Sequence, residues 1–93
     1  MRVQKTSEDN FVKGLKFRLT GTSDSGIKVD EYATTDTSGV AVFDDILIGK
    51  NYVLSEVNTP SRYVIPDTQN VDIEWNIVTG ASVENILKKW RAD

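Results

Sequence analysis

The sequence holds no cysteine and no histidine among its 93 residues. The first absence excludes disulfides and thiolate metal sites, and the second excludes imidazole ligands and every nucleophilic triad built on an imidazole base. No apolar run approaches the roughly 18 residues needed to cross a bilayer, and no basic leader precedes an apolar stretch, so neither a membrane span nor a targeting segment is expected. Positive charge is also scarce: eleven basic residues face fourteen acidic ones, for a net charge of −3. Lys88, Lys89 and Arg91 form the one basic cluster, read as a solvated tail, and a nucleic-acid partner is not expected. There is no glycine loop fit to cradle a phosphate. Asp36, Asp44, Asp45 and Asp67 lack the alternating Asp/Asn ladder of a calcium loop and read as solvated turn acids, so no metal or other cofactor is expected. These absences leave no inventory for a turnover enzyme.

What remains is a chain of strand signals. Its length suits one domain, residues 1–93, with the last few residues as a tail. Val3 and Lys5 share one face of a first strand, and Leu15, Phe17 and Leu19 one face of a second, which ends in the turn-rich stretch from Gly21 to Gly26. Lys28 to Thr35 reads as a third strand, joined in a hairpin through Asp36 to Gly39 to Val40 to Phe43. After the connection Ile46 to Ile48, the residues Tyr52, Leu54 and Glu56 alternate on one face. Pro60 and Pro66 bracket an irregular stretch containing Tyr63, because proline cannot donate to a central ladder. Val71, Ile73 and Trp75 alternate next, which assigns Trp75 to the core, and Val83, Asn85 and Leu87 form the last inward face. About seven short strands separated by turns predict an all-β, Ig-like sandwich.

Strand parity places three polar residues among apolar neighbours: Lys5 beside Val3, Glu56 beside Leu54, and Asn85 between Val83 and Leu87. Burying an isolated charge costs more than the whole stability of so small a domain, so Lys, Glu and Asn that face inward must satisfy one another; the alternative reading is that each lies near a strand end and reaches solvent. In a shared apolar pocket both charges are disfavoured, which leaves a neutral amine beside a protonated acid. Such an amine can attack the side-chain carbonyl carbon of Asn85 while Glu56 relays protons and ammonia departs. The product is an amide between the first strand and the last. It would substitute for the disulfides that the chain lacks.

These residues resemble the collagen-adhesin B-type (Cna-B-like, SpaA-type pilin) domains of Gram-positive surface proteins over nearly the whole chain. Lys5 to Asp9 followed by Gly14, Phe17 and Leu19 is similar to the family's entry, "G-x-x-F-x-L". Thr35, Asp36, Gly39 and Phe43 fit "T-D-x-x-G-x-x-x-F", while Tyr52, Leu54, Glu56, Pro60 and Tyr63 fit "Y-x-L-x-E" and "E-x-x-x-P-x-x-Y". Val83, Glu84 and Asn85 before Lys88 are similar to the closing strand. Departures are an extra residue between Gly49 and Tyr52, Arg62 in place of the usual glycine, and Ile48 in place of a common proline.

The resemblance implies an intramolecular Lys5–Asn85 isopeptide bond assisted by Glu56. It also implies a structural stalk or spacer role in a cell-surface adhesin or pilin, outside the cell and in the cell wall, with neighbouring domains of a larger protein as partners. A host or matrix ligand would be met through that parent protein, and the excised domain is expected to be a monomer. Neither a pilin lysine motif nor a sortase sorting signal is visible. The competing expectation is a module binding carbohydrate or a host protein through exposed aromatics, for which Trp75, Trp90, Tyr32 and Tyr63 are the candidates.

Overall fold

The computed structural model describes residues 1–89 and is built of strands alone. In chain order these are β1 (Arg2–Ser7), β2 (Lys16–Thr22), β3 (Lys28–Thr34), β4 (Val40–Val42), β5 (Gly49–Glu56), β6 (Gln69–Ile73) and β7 (Gly80–Asn85). A three-stranded sheet has the order β4-β1-β7, and a four-stranded sheet the order β3-β2-β5-β6. Their inner faces meet over one apolar cluster that includes Val3, Leu15, Phe17, Leu19, Tyr52, Leu54 and Val83. The expected sandwich is therefore the observed fold. Alternation drives it: in β5 the buried residues Tyr52, Leu54 and Glu56 are spaced by two, and in β1 Val3 and Lys5 do the same.

β1 and β7 run parallel, although every other pairing is antiparallel. Their ladder aligns Lys5 with Val83 and Ser7 with Asn85. The far end of this ladder is pinned by Glu8, whose backbone N–H donates to Asn85 O at 3.2 Å and whose Oε1 accepts from Leu87 N at 2.7 Å.

Three expectations are corrected. β3 and β4 do not form a hairpin: β3 pairs with β2, and β4 pairs with β1 in the other sheet. The Asp36 to Gly39 turn is real, with Asp36 Oδ1 accepting from Ser38 N and Val40 N, but it carries the chain across the sandwich instead of folding it back. Trp75 lies beyond the end of β6 and is 78 % exposed, so it is not a core residue. The last strand stops at Asn85, and Leu87 makes only an isolated bridge to Tyr63.

The extra residue between Gly49 and Tyr52 is absorbed as a β-bulge, where the β5–β6 register shifts and Asn51 takes φ 59°. The bulge returns Tyr52, Leu54 and Glu56 to the inner face. Gly39 sits at φ 78°, and a Cβ there would lie 2.7 Å from the carbonyl oxygen of Lys5. Glycine is thus required where the turn presses on the strand carrying that lysine.

Candidate functional site

At one end of the sandwich the two sheets each contribute to a polar cluster inside the apolar core. Lys5 projects inward from β1, Asn85 from β7 beside it, and Glu56 from the last position of β5 across the gap. Lys5 is 1 % exposed, Asn85 0 % and Glu56 9 %. Lys5 Nζ lies 3.4 Å from Glu56 Oε1, with both side chains fully shielded from solvent. The amine also donates to Thr6 O at 3.0 Å and to Val83 O at 3.3 Å, which brings it against the backbone of β7. Burial pushes the Lys5 amine below its ordinary value of 10.5, and the neighbouring Glu56 carboxylate opposes that shift in part.

The remaining polar atoms are unevenly served. Glu56 Oε2 accepts a hydrogen bond from Thr59 Oγ1, but Glu56 Oε1 makes no hydrogen bond. Both side-chain atoms of Asn85, Oδ1 and Nδ2, are buried without a partner. Leaving a buried donor or acceptor unpaired costs about 1 to 3 kcal/mol. The structure thus brings Lys5 and Glu56 together as a buried pair, and it sets the unpartnered Asn85 amide on the neighbouring strand.

A second network closes the end of the sandwich nearest to these residues. The Tyr63 side chain is fully buried, and its hydroxyl donates to Asp9 Oδ1 while accepting from Ser7 Oγ at 3.2 Å and from Arg62 Nη2 at 2.8 Å. Arg62 Nε bonds Asp9 Oδ2 at 3.0 Å, and its guanidinium lies 4.9 Å from the Phe11 ring centroid and 4.5 Å from that of Tyr63. The tyrosine and serine hydroxyls and Arg62 hold the Asp9 carboxyl well below the usual carboxylate range. Together these contacts fasten the segment 57–66 across the end of β1. Tyr63 was legible in the sequence through its spacing from Glu56; Asp9, Arg62 and Phe11 were not, because their partners are remote in sequence.

The four aromatic candidates separate. Tyr63 is buried in that network, and Tyr32 is 52 % exposed beneath Lys16 and Arg18, whose cations lie 5.2 and 5.7 Å from its ring centroid. Trp75 is exposed, and Trp90 lies outside the described residues, as does Arg91 of the basic cluster. Among the described residues no three Asp, Glu, His or Cys side chains gather as they would around a metal ion.

A profile of the family described as SpaA, prealbumin-like fold domain, matches residues 1–86. The chain belongs to this family. No curated protein matches it in sequence. Among solved structures the SpaA-type fold recurs in the Bacillus anthracis TIE protein, with a TM-score of 0.71 and 20 % identity over 90 % of this chain and 15 % of that one. It recurs in BcpA, the major pilin subunit of Bacillus cereus, with a TM-score of 0.68 and 21 % identity over 91 % of this chain and 27 % of that one. The shaft pilin SpaA of Lactobacillus rhamnosus GG gives 0.64 and 12 % identity over 98 % of this chain and 46 % of that one. This SpaA-type domain thus spans less than half the length of each of these proteins, and the likeness at such identities is one of fold.

Proposed function

We propose that this domain is a structural segment of a bacterial surface fibre or adhesin, hardened by an isopeptide bond between Lys5 and Asn85 that Glu56 promotes. One observation carries the proposal: an unpartnered, buried Asn85 amide stands on the strand beside Lys5, and Lys5 is paired with a buried carboxylate. Family membership and the pilin subunits among the similar structures support the structural role, and with it a place outside the cell among neighbouring domains.

The chemistry balances without any added reagent. Lys5 gives one proton to Glu56, leaving a neutral amine beside a carboxylic acid. The Nζ lone pair attacks Cγ of Asn85 while the acid donates its proton to Oδ1, forming a tetrahedral centre. Glu56 then takes a proton from Nζ and delivers it to Nδ2, the Cγ–Nδ2 bond breaks, and ammonia leaves as the hydroxyl proton returns to Glu56. The products are one secondary amide, one ammonia and a protonated Glu56 able to donate to the new carbonyl. Folding brings the groups together, and well-oriented intramolecular reactions gain effective molarities of ~10⁵ to 10⁸ M. The reaction occurs once per molecule, so the domain matures and does not turn over.

Mechanical pulling tests the role. Force applied outside residues 5 and 85 should leave the segment between them unextended in the wild type and extend it fully in Lys5→Ala. Full extension of the wild type would refute the structural reading.

The exposure of Trp75 favours a second reading, a module that binds carbohydrate or a host protein. Trp75 borders a groove of about 550 Å³ lined also by Leu47, Ile48 and Glu74. Saturable binding on a glycan or matrix-protein array, lost in Trp75→Ala, would support it; no binding would exclude it.

A further inference from the structure

We propose that Thr59 is a positioning residue for the crosslinking reaction: it fixes the Glu56 carboxyl so that Oε1, and not Oε2, exchanges protons with Lys5 and Asn85. The inference rests on the reading of those three residues given above.

The two carboxyl oxygens of Glu56 stand in different surroundings. Oε2 is engaged by the Thr59 hydroxyl, whereas Oε1 faces the Lys5 amine at 3.4 Å and makes no hydrogen bond. The terminal torsion of a glutamate is broad and roughly two-fold, so a free carboxyl can exchange its oxygens by rotation. A proton taken by Oε1 could then be turned away from the amide that needs it. The Thr59 donor opposes that rotation and keeps the proton-carrying oxygen on the reactive side.

Local sequence makes Thr59 suited to the task. It follows Glu56 by three residues, after β5 has ended, so its side chain can turn back onto the carboxyl. Pro60 confines the backbone of the residue before it to extended conformations, and the β-branch of threonine restricts its first torsion. Pro60 O in turn accepts from Tyr63 N at 3.0 Å, which ties this short turn to the network around Asp9. Thr59 is half-buried and touches neither Lys5 nor Asn85 by any hydrogen bond, so it acts through Glu56 alone.

The test uses full-length chain recovered unfolded from inclusion bodies, with dilution out of denaturant starting the reaction and intact mass recording ammonia loss over time. Thr59→Val keeps the branched shape and removes the donor; it should slow crosslinking by about tenfold, the equivalent of one hydrogen bond in the barrier, while reaching the same final extent. Thr59→Ser keeps the donor and should restore the rate to within about twofold of wild type. Thr59→Ala, which is the less demanding substitution, repeats the loss should the valine variant fold poorly by circular dichroism. A purely structural role would lower the melting temperature of these variants in a Lys5→Ala background and leave the crosslinking rate unchanged. Wild-type rates in Thr59→Val and Thr59→Ala would overturn the positioning role and spare the crosslink itself, whereas a wild-type chain that never loses ammonia would overturn both.

Discussion

Lys5 and Asn85 occupy neighbouring parallel strands two register positions apart, Lys5 opposite Val83 and Asn85 opposite Ser7, and both side chains are buried on the inner face. Because these are the first and last strands, a covalent link between them would enclose nearly the whole chain. Antiparallel neighbours joined by a short turn would enclose only a hairpin, and the gain in stability would be correspondingly small.

Removing the relay without removing the pocket gives the first prediction. Glu56→Gln preserves shape but cannot shuttle a proton, so it should fold without losing ammonia. By analogy with disulfide loop closure, the missing link corresponds to roughly 4 to 5 kcal/mol. For a domain of this size that lowers the melting temperature on the order of 20 °C, measured by circular dichroism. An unchanged melting temperature would show that no link forms or that it adds nothing.

The pH dependence of the crosslinking rate follows from a shared proton. The proposed reaction starts from one proton held between Lys5 and Glu56, so the rate should fall in alkali, where that proton is lost. Because burial lowers the Lys5 value, the alkaline limb should fall below pH 10.5. Rates that keep rising through pH 10.5 would contradict this assignment.

The Asp9 network predicts a different pH signature. Its carboxyl titrates lower in the folded chain than in the unfolded one, so its contribution is complete above the ordinary value of about 3.9 and is lost as pH falls through the lower folded value. Asp9→Asn should therefore reduce the melting temperature at neutral pH, with the difference from wild type shrinking only in strong acid. Partial exposure of Asp9 keeps the effect modest. Equal melting temperatures at neutral pH would show that the network does not hold the segment 57–66.

Strand parity made much of the site legible. Period-two alternation in β1, β5 and β7 turned Lys5, Glu56 and Asn85 inward, because each belongs to a run of apolar residues on one face of a regular strand. Parity fails where a strand ends: Val71 and Ile73 follow it, but β6 stops at Ile73 and the phase no longer governs Trp75. The Asp36 to Gly39 turn was legible as a turn, yet local turn chemistry does not specify which strand pairs with which, and β4 found its partner in β1. Thr59 carried a signal that passed unread, a hydroxyl three residues beyond a buried glutamate and fixed by the following proline. Asp9, Arg62 and Phe11 carried none, since a loop that meets its partner more than fifty positions away leaves no periodic trace.

The intact mass of the folded domain tests the central claim most directly. A mass lower than that of the sequence by one ammonia, with the full mass restored in Lys5→Ala, Glu56→Gln and Asn85→Ala, is the predicted result. A wild-type domain that is folded and retains its full mass would contradict it.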